Sequence, residues 1–518
     1  MNLLPALVMG PLCAALATML LPLRWRGPVG VALALLVAAA AISLQVEVVG
    51  AGLQTHALGG WAAPLGISLR ADGLAAGMVL LSAAIALPCA LHAALGLRGT
   101  APEDGFWPLF WFLWAALNGI WLSADLFNLY VGLELLGLAA VGLVALKGSA
   151  AALAAAMRYL LAALLGSLAY LIGVALLYAA WGSLSLADLA RFIAATSPGG
   201  PGEMAGAGAA RHLHTHPTSV VALTLMTVGL LLKTALFPLH GWLPPAHGGA
   251  LPPVSALLSA LVIKASLYIL IRLWLTLGPD LTPLALGWLL GVLGAAAVFW
   301  GGWMALRQAR LKHLVAYSTV AQIGYLFLFF PLFGVASAEA ARLAWDGTLL
   351  MLVAHALAKA GMFLAAGNLV LAVGSPHIAD LTGISRFRPL SLMSFGLAGV
   401  SLMGLPPSAG FSAKWLLLQS ALASGQWVWI GVLVGGGLLS AAYVFRVFAH
   451  AFVEGPARDR FASPPLGLEL SALLLGSASI LLGLAAQAPL AWLRIGGPLA
   501  AGVPILAGGI PILAGGAP

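Results

Sequence analysis

Long apolar segments recur along almost the whole chain, and short polar connections separate them. The segments lie at about residues 2–23, 28–49, 73–97, 106–124, 126–147, 158–181, 219–240, 251–276, 282–306, 312–334, 344–373, 388–425 (interrupted), 426–452 and 466–487. About 20 consecutive apolar residues are enough for a helix to cross a bilayer. The pattern therefore predicts an all-α polytopic membrane protein with about 14 transmembrane helices.

The region from Leu223 to Arg272 departs most strongly from this pattern. It holds two apolar segments, and each carries one lysine towards its middle, Lys233 and Lys264. Between the two lysines lie eight helix breakers: Pro238, Gly241, Pro244, Pro245, Gly248, Gly249, Pro252 and Pro253. A charge at bilayer depth costs at least about 2.5–3.5 kcal/mol, and backbone groups freed by a break must find partners in protein or water. We therefore expect a polar cavity inside the membrane beside a broken seventh helix.

Composition agrees with a membrane protein and excludes other classes. Of the 518 residues, 62% are hydrophobic and 7% are charged, and the mean hydropathy is +1.06, whereas soluble domains carry about 25% charged residues. The net charge of +8 includes no basic cluster interleaved with aromatic residues, so we expect no nucleic-acid surface. Cys13 and Cys89 lie in apolar segments and indicate neither a disulfide framework nor a metal site. The apolar first 20 residues lack a basic start, which favours a retained first helix over a cleaved signal peptide.

The basic residues of the connections predict an orientation. Connections after odd-numbered segments hold thirteen of them: Arg24, Arg26, Arg98, Lys147, Arg158, Arg307, Arg310, Lys312, Arg386, Arg388, Arg446, Arg458 and Arg460. Connections after even-numbered segments hold five: Arg70, Arg191, Arg211, Arg272 and Arg342. By the positive-inside rule, the odd-numbered connections are cytoplasmic and both termini lie outside.

Four further basic residues lie inside apolar segments, and all are lysines: Lys233, Lys264, Lys359 and Lys414. A buried lysine can exchange its proton, whereas arginine keeps its charge. Among the 15 acidic residues, only Glu134 lies well within an apolar segment. Four such lysines with one carboxylate favour a proton path over four separate structural roles.

Other polar residues are candidates for the same path or for access to it. His355 and Lys359 are spaced i, i+4 and so share a helix face, which predicts a relay pair. The candidates for gates or access points are His240, His247, Tyr268 and Asp125. The two histidines lie in the break after Lys233, where they could equally be satisfied loop residues.

A run rich in Pro, Gly and Ala from Thr196 to Ala210 precedes three alternating histidines, His212, His214 and His216. Such a set could bind a metal ion, as a membrane-embedded hydrolase or transferase would require. We expect a flexible, solvated loop instead, with no metal, no cofactor and no catalytic residue.

The break around Lys233 has a counterpart in the second half of the chain. A broken helix with a lysine occurs at Lys233–Trp242 and again at Leu405–Trp415, with the lysines on opposite sides of their breaks. Paired interrupted segments indicate inverted repeats, with the transport site at the repeat interface. The predicted units are residues 1–100 (helices 1–3), 105–276 (helices 4–8), 281–453 (helices 9–13) and 466–518 (helix 14 and a Gly/Pro-rich tail).

Six ordered motifs resemble those of a known family: the antiporter-like membrane subunits shared by complex I, group 4 membrane hydrogenases and Mrp-type Na+/H+ antiporters. The motifs are DLFNLYVGLELLG (Asp125–Gly137), KTALFPLHGWLPPAH (Lys233–His247), PPVSALLSALVIKAS (Pro252–Ser266), LKHLVAYSTVAQIGY (Leu311–Tyr325), HALAKAGMFLAAG (His355–Gly367) and LPPSAGFSAKW (Leu405–Trp415). The match covers roughly residues 70–450.

The resemblance implies fourteen helices, two inverted five-helix repeats with broken helices 7 and 12, and no cofactor. It implies a proton path through Glu134, Lys233, Lys264, Lys414 and a position matched by His355 or Lys359. The implied partners are homologous antiporter-like subunits and small hydrophobic subunits, with H+ and Na+ or K+ as ions. The implied location is a bacterial plasma (inner) membrane.

Within the family, the chain looks most like the D subunit of Mrp antiporters, and next like the M or N subunit of complex I. Lys414, the motif DLFNLY and the lack of a long lateral C-terminal helix favour the D subunit. The chain departs from the usual pattern at Leu133, Pro245 and Pro252, so a specialised relative in a hydrogenase or an inorganic-carbon uptake system is an alternative. A stand-alone transporter of an organic anion is less favoured, because its charges would cluster in one pocket.

Overall fold

The computed structural model describes residues 3–61, 66–196, 208–282, 284–334, 337–454 and 461–498. Side chains are described over the same ranges except at residues 196, 208–216, 279 and 280. The repeated PILAGG tail lies outside the described residues. Almost all of the described backbone is helical.

The helices occur in the following order: α1 (Leu3–Leu20), α2 (Leu23–Ala51), α3 (Gly73–Gly96), α4 (Pro102–Leu122), α5 (Leu126–Ala145), α6 (Ala150–Trp181), α7 (Leu186–Thr196), α8 (Gly208–Thr234), α9 (Leu243–Gly249), α10 (Pro252–Leu257), α11 (Ile263–Thr276), α12 (Gly278–Leu281), α13 (Leu284–Arg307), α14 (Leu311–Phe327), α15 (Phe329–Phe333), α16 (Ala338–Val373), α17 (Pro389–Met403), α18 (Ala409–Ala423), α19 (Val428–Ala451), α20 (Leu466–Leu484) and α21 (Gln487–Leu493). A π-helical turn, Leu258–Val262, joins α10 to α11. Short 3-10 turns lie at Leu58–Gly60, Ile378–Leu381 and Ile384–Arg386.

Thirteen helical stretches in the described part are long and apolar enough to cross a membrane. The interrupted pair α17 and α18 lies where the sequence predicts one further span, and the predicted all-α polytopic membrane fold is confirmed. The stretches Pro252–Thr276, Leu311–Phe333 and Ala338–Val373 are almost wholly buried, whereas most of the others keep an exposed apolar face. The buried stretches form the centre of the molecule, and three of the predicted relay residues lie on them.

Both predicted interruptions are present. The first separates α8 from α9, because Pro238 has no N–H to continue a helix and Pro244 and Pro245 start the next one. The second separates α17 from α18: Gly404 takes a left-handed conformation with φ 81°, and the Ser408 hydroxyl caps α18.

Several boundaries differ from the sequence prediction. Helix α6 begins at Ala150, capped by Ser149, so Arg158 lies inside the helix and not in the preceding connection. Lys312 likewise lies in the first turn of α14. The hydropathy pattern placed the start of α6 too late because its first turns consist of small alanines, which favour a helix without being strongly apolar.

The predicted loop before the seventh span is also shorter than expected. The backbone is already helical at Gly208, so His212, His214 and His216 lie on α8 and not in a loop; their side chains are outside the described set. The hairpin of β1 (Gln54–Ala57) and β2 (Ser68–Ala71) and the amphipathic helix α7 were not predicted.

A buried ion pair fastens the start of α3 to the end of α11. Asp72 caps α3 by accepting a hydrogen bond from Ala75 N at 2.9 Å, and Arg272 donates to its carboxylate through both terminal nitrogens, one at 2.6 Å. Burial alone would raise the pKa of the Asp72 carboxyl, but Arg272 and Arg70 outweigh burial and hold that pKa below its ordinary value. This clamp fixes the centre of the molecule against its N-terminal helices.

Candidate functional site: a line of buried lysines

Lys233 lies in the last turn of α8, in a space made by two glycines. A Cβ atom at Gly166 would lie 3.0 Å from Lys233 Cγ, and one at Gly137 would lie 4.0 Å from Lys233 Nζ. Gly137 follows Glu134 by three residues on α5, so both share one face of that helix. The carboxylate and the ammonium therefore lie on facing surfaces of α5 and α8.

Glu134 stands at the edge of the outward face of α5. It is half-buried, and Val131 and Leu138, one turn away on either side, are 46% and 55% exposed. Its Oε1 atom is buried without a hydrogen-bond partner in the described part of the chain. None of the six ion pairs among the described residues joins Glu134 to Lys233, although the carboxylate is close enough for its charge to act on that ammonium. The two groups are near each other without being in contact.

Lys264 is buried in the centre of the molecule, directly after the π-helical turn. Its Nζ atom donates to the backbone carbonyl of Ser259, which lies within that turn. A π-helical turn inside an α-helix is uncommon and often marks a functional site. The ammonium of Lys264 is therefore held by backbone and not by a carboxylate.

A short polar chain across α14 joins Lys264 to Lys359. The hydroxyls of Ser259 and Thr319 are 2.9 Å apart, and Thr319 donates to the Val315 carbonyl at 3.1 Å. Lys359 Nζ donates to the same carbonyl at 3.0 Å. Lys359 thus bonds directly to the polar stretch of α14, and Lys264 is connected to the same stretch through Ser259.

Two buried histidines lie beside these lysines, and the described residues offer no hydrogen-bond partner to any of their ring nitrogens. His355 lies one turn before Lys359 on α16, and this helix packs against the π-helical turn that precedes Lys264. His247, in α9, stacks with ring centroids 4.5 Å apart on Phe363, which lies one turn after Lys359. The predicted relay pair and one predicted gate are therefore brought together with Lys264.

Lys414 lies in α18, just after the second interruption. Its Nζ atom donates to the carbonyls of Leu402 and Met403, at 3.0 and 3.1 Å. These carbonyls end α17, and the break at Gly404 leaves them without the usual helical partners. The ammonium also lies over the ring of Tyr325.

Two predicted access residues are engaged elsewhere. The Tyr268 hydroxyl donates to the Trp121 carbonyl at 2.7 Å, away from Lys264. Asp125 caps α5 by accepting from Asn128 N at 2.8 Å, and burial raises the pKa of its carboxyl. The structure thus gives both residues structural contacts outside the line.

His240 occupies the first interruption, nearer the surface than His247. It accepts a hydrogen bond from Trp300 Nε1 at 3.2 Å and stacks against Phe237 at 5.6 Å. It is half-buried. The contact with α13 makes it a candidate for an access point and not a member of the central line.

Sequence reasoning missed the polar face of α14. Ser318, Thr319, Gln322 and Tyr325 are all fully buried and contact the lysines or their partners. Their spacing along one helix could have predicted this face, because a polar stripe in an apolar helix must face protein or water. These side chains carry no charge, so they do not stand out in an apolar segment as the lysines do.

Comparisons with known proteins identify the family of the chain. The family model described as NADH:quinone oxidoreductase/Mrp antiporter, TM, matches residues 123–440. The N subunit of NADH-quinone oxidoreductase from Desulforudis audaxviator is 37% identical over 480 residues, which are 89% of this chain and 90% of that protein. The D subunit of the Na(+)/H(+) antiporter from Alkalihalophilus pseudofirmus is 29% identical over 448 residues, 86% of each.

A solved structure shares the fold over nearly the whole length. A chain in the structure of the Mrp complex from Dietzia sp. DQ12-45-1b superposes with a TM-score of 0.83 at 26% identity, covering 96% of this chain and 98% of that one. Broken helices with buried lysines in a fold of this kind define an antiporter-like integral membrane subunit. The chain belongs to the NADH:quinone oxidoreductase/Mrp antiporter transmembrane family.

Proposed function

We propose that this chain relays protons along a line from Glu134 and Lys233 through Lys264, His355 and Lys359 to Lys414. One observation carries the proposal: Lys264, Lys359 and Lys414 are buried, and none forms an ion pair within the described residues. A structural lysine at such depth would be expected to have a carboxylate partner, because an unpaired buried charge is costly. Lysines held by carbonyls and hydroxyls can gain and lose a proton.

The entry of the line works as a switch between Glu134 and Lys233. A carboxylate within about 4–6 Å of an ammonium favours its charged form, so approach of Glu134 holds the Lys233 proton and withdrawal releases it. Moving one charge through about 150 mV needs roughly 3.5 kcal/mol, and breaking a buried pair changes the free energy by about 3–5 kcal/mol.

The two interruptions support inverted repeats over residues 105–276 and 281–453. Lys233 precedes its break and Lys414 follows its break, as expected when one unit is turned over relative to the other. We place the odd-numbered connections in the cytoplasm of a bacterium and both termini outside its plasma membrane, on the distribution of Lys and Arg in the connections. Each repeat then supplies one half-channel.

We propose that the chain works inside a multi-subunit complex with homologous antiporter-like and small hydrophobic subunits. The D subunit of an Mrp-type antiporter, exchanging Na+ or K+ for H+, is our first assignment, on Lys414 and the motif DLFNLY. The 37% identical relative, named as part of an NADH-quinone oxidoreductase, favours a redox-driven complex as the second candidate. Purification from the native membrane separates the two, since iron–sulfur subunits would co-purify only in the second case.

The relay itself is tested in sealed vesicles that contain the assembled complex. Lys264→Arg keeps a positive charge, but the arginine side chain does not release its proton. Proton flux per assembled complex should therefore fall to the background level. Lys147→Arg makes the same change at an exposed lysine and should leave flux unchanged. Wild-type flux in Lys264→Arg would refute the proposed function.

A further inference from the structure

The chain segment around Lys414 offers no second charged residue or histidine that could connect it to Lys359. Between Arg388 and Arg446, Lys414 is the sole residue of the types Asp, Glu, His, Lys and Arg. Lys359 lies on α16 and Lys414 on α18, and the polar face of α14 contacts both of their surroundings. Any connection between the two lysines on this side must therefore use uncharged groups.

The connection begins at Lys359. Its Nζ atom donates to the hydroxyl of Ser318, which itself donates to the Val315 carbonyl at 2.9 Å. Gln322 and Tyr325 follow Ser318 by four and seven residues, so the three share one face of α14. All three are completely buried.

Helix α19 completes the connection with two hydroxyls. Tyr443 donates to Ser440 Oγ at 3.1 Å, and its hydroxyl lies near the side chains of Ser318 and Gln322 where α19 packs against α14. Gln322 Nε2 donates to Ser440 Oγ at 3.2 Å. Four side chains from two helices thus form one buried cluster next to Lys359.

The cluster reaches Lys414 through a shared carbonyl. Gln322 Nε2 and Lys414 Nζ both donate to the Leu402 carbonyl, each at 3.0 Å. Gln322 Oε1 and the Tyr325 hydroxyl are buried beside them without a hydrogen-bond partner among the described residues.

Two glycines of α19 let this helix pack closely against the end of the cluster. A Cβ atom at Gly436 would lie 2.2 Å from the Tyr325 hydroxyl, and one at Gly437 would lie 3.9 Å from Lys414 Nζ. Gln322 Oε1 and the Tyr325 hydroxyl are therefore unpartnered polar atoms close to Lys414, of the kind that a buried water molecule binds.

We propose that Ser318, Tyr443 and Ser440 form a hydroxyl bridge that carries a proton between Lys359 and Lys414, and that Gln322 positions it. The inference rests on the proposed function and adds the uncharged groups that connect Lys359 to Lys414. Each hydroxyl accepts one proton and gives up its own, so none of them changes its charge after a transfer. Gln322 holds Ser440 and the Leu402 carbonyl together but passes no proton itself.

The last transfer runs from Ser440 to Lys414 through one water molecule bound by Gln322 Oε1 and the Tyr325 hydroxyl. In one passage the Lys359 ammonium loses a proton, and the neutral Lys414 amine gains one. No bond between heavy atoms forms or breaks, and no oxidant is needed. After each passage the hydroxyls must turn back before the next proton can follow.

The bridge is tested by removing single hydroxyls in the assembled complex and measuring proton flux per complex in sealed vesicles. Tyr443→Phe and Ser440→Ala should each lower flux at least about tenfold, because positioned proton-transfer groups contribute roughly 10²–10⁴ in rate. Ser440→Thr keeps the hydroxyl and should retain most of the flux. Lys264→Arg serves as the reference for a relay that is blocked.

Matched controls remove buried hydroxyls elsewhere. Tyr170→Phe removes a hydroxyl that donates to the Leu126 carbonyl at 3.3 Å, and Ser479→Ala removes one that donates to its own helix; both should keep wild-type flux. If Lys264→Arg blocks flux while Tyr443→Phe and Ser440→Ala do not, the bridge is wrong and the relay stands. If Ser440→Thr is as inactive as Ser440→Ala, the serine acts through packing and the bridge is also wrong.

Discussion

The ammonium of Lys414 lies 4.4 Å from the centre of the Tyr325 ring. A cation over an aromatic ring gains about 0.5–2 kcal/mol, depending on how far it is removed from water. The ring and the last carbonyls of α17 surround the ammonium, and helix C-termini favour positive charge. Lys414 is therefore stabilised by dipoles, which leaves it free of the strong carboxylate pair that would hold its proton.

Because of this arrangement, substitutions of Lys414 are the best test of the proposed proton path in the second half of the chain. Lys414→Ala should reduce proton flux per assembled complex to near background, since it removes the last group that can take up a proton. Lys414→Glu should retain part of the flux, because a protonated carboxyl can still donate to the Leu402 carbonyl. Flux and the amount of assembled complex are measured on the same vesicles.

A purely structural role for Lys414 predicts a different outcome. If the ammonium serves only to satisfy the Leu402 and Met403 carbonyls, Lys414→Ala lowers the amount of folded protein and spares flux per complex. Normal flux per complex in the alanine variant would remove Lys414 from the path.

The pairing of Glu134 with Lys233 is tested by a double-mutant cycle. Glu134→Gln keeps size and hydrogen bonding but removes the charge that acts on Lys233, so flux should collapse while assembly continues. Lys233→Ala should cost nearly as much, and the double variant should be little worse than either single one, as for members of one unit. If the flux losses of the two single variants multiply in the double variant, the two residues act independently and the proposed Glu134–Lys233 switch is wrong.

The sequence was sufficient to predict the membrane-spanning helices, both interruptions and the lysines that lie inside the spans. Apolar segments of spanning length have few alternatives in a bilayer, and a dense run of prolines and glycines inside such a segment indicates an interruption. Buried lysines stand out in the same way, because charge inside an apolar segment is rare. The spans, both interruptions and the placement of Lys264, His355 and Lys359 near one another follow from these constraints.

The uncharged part of the line could not be predicted in the same way. Ser318, Gln322 and Tyr443 are common residue types in membrane helices, where a hydroxyl often bonds to its own helix. Their importance comes from which helices meet, and that depends on packing between α14, α16 and α19. The π-helical turn before Lys264 also carried no sequence signal. Tyr268 shows the reverse case, since the sequence made it a candidate access residue and the fold directs its hydroxyl to the Trp121 carbonyl.

The Asp72 clamp should make the protein sensitive to acid. Its carboxyl has a folded-state pKa below the ordinary value, so the clamp contributes fully above the pKa of the unfolded chain and is lost as the pH falls through the folded pKa. Thermal unfolding of the purified protein between neutral and acidic pH measures this, and the loss of stability should be smaller in Asp72→Asn. If the unfolding temperature of Asp72→Asn falls with pH as that of the unchanged protein does, groups other than Asp72 cause the acid sensitivity.

Removing the clamp at neutral pH should also be costly. Asp72→Asn leaves the buried Arg272 unpaired, which destabilises by about 3–5 kcal/mol. Asp104→Asn is the matched control, since Asp104 pairs with Arg26 at the surface and is 73% exposed, and such pairs contribute about 0–1 kcal/mol. Equal unfolding temperatures for the two variants would show that Arg272 finds other partners.

Proton flux through Lys233→Arg, measured in sealed vesicles containing the assembled complex, tests the central claim most directly. Arginine fills the space between Gly137 and Gly166 with the same charge but cannot give up its proton. The relay predicts normal assembly with flux at the background level, while the exposed Lys147→Arg transports as the unchanged protein does. Flux in Lys233→Arg equal to that of the unchanged protein would show that no proton passes through Lys233.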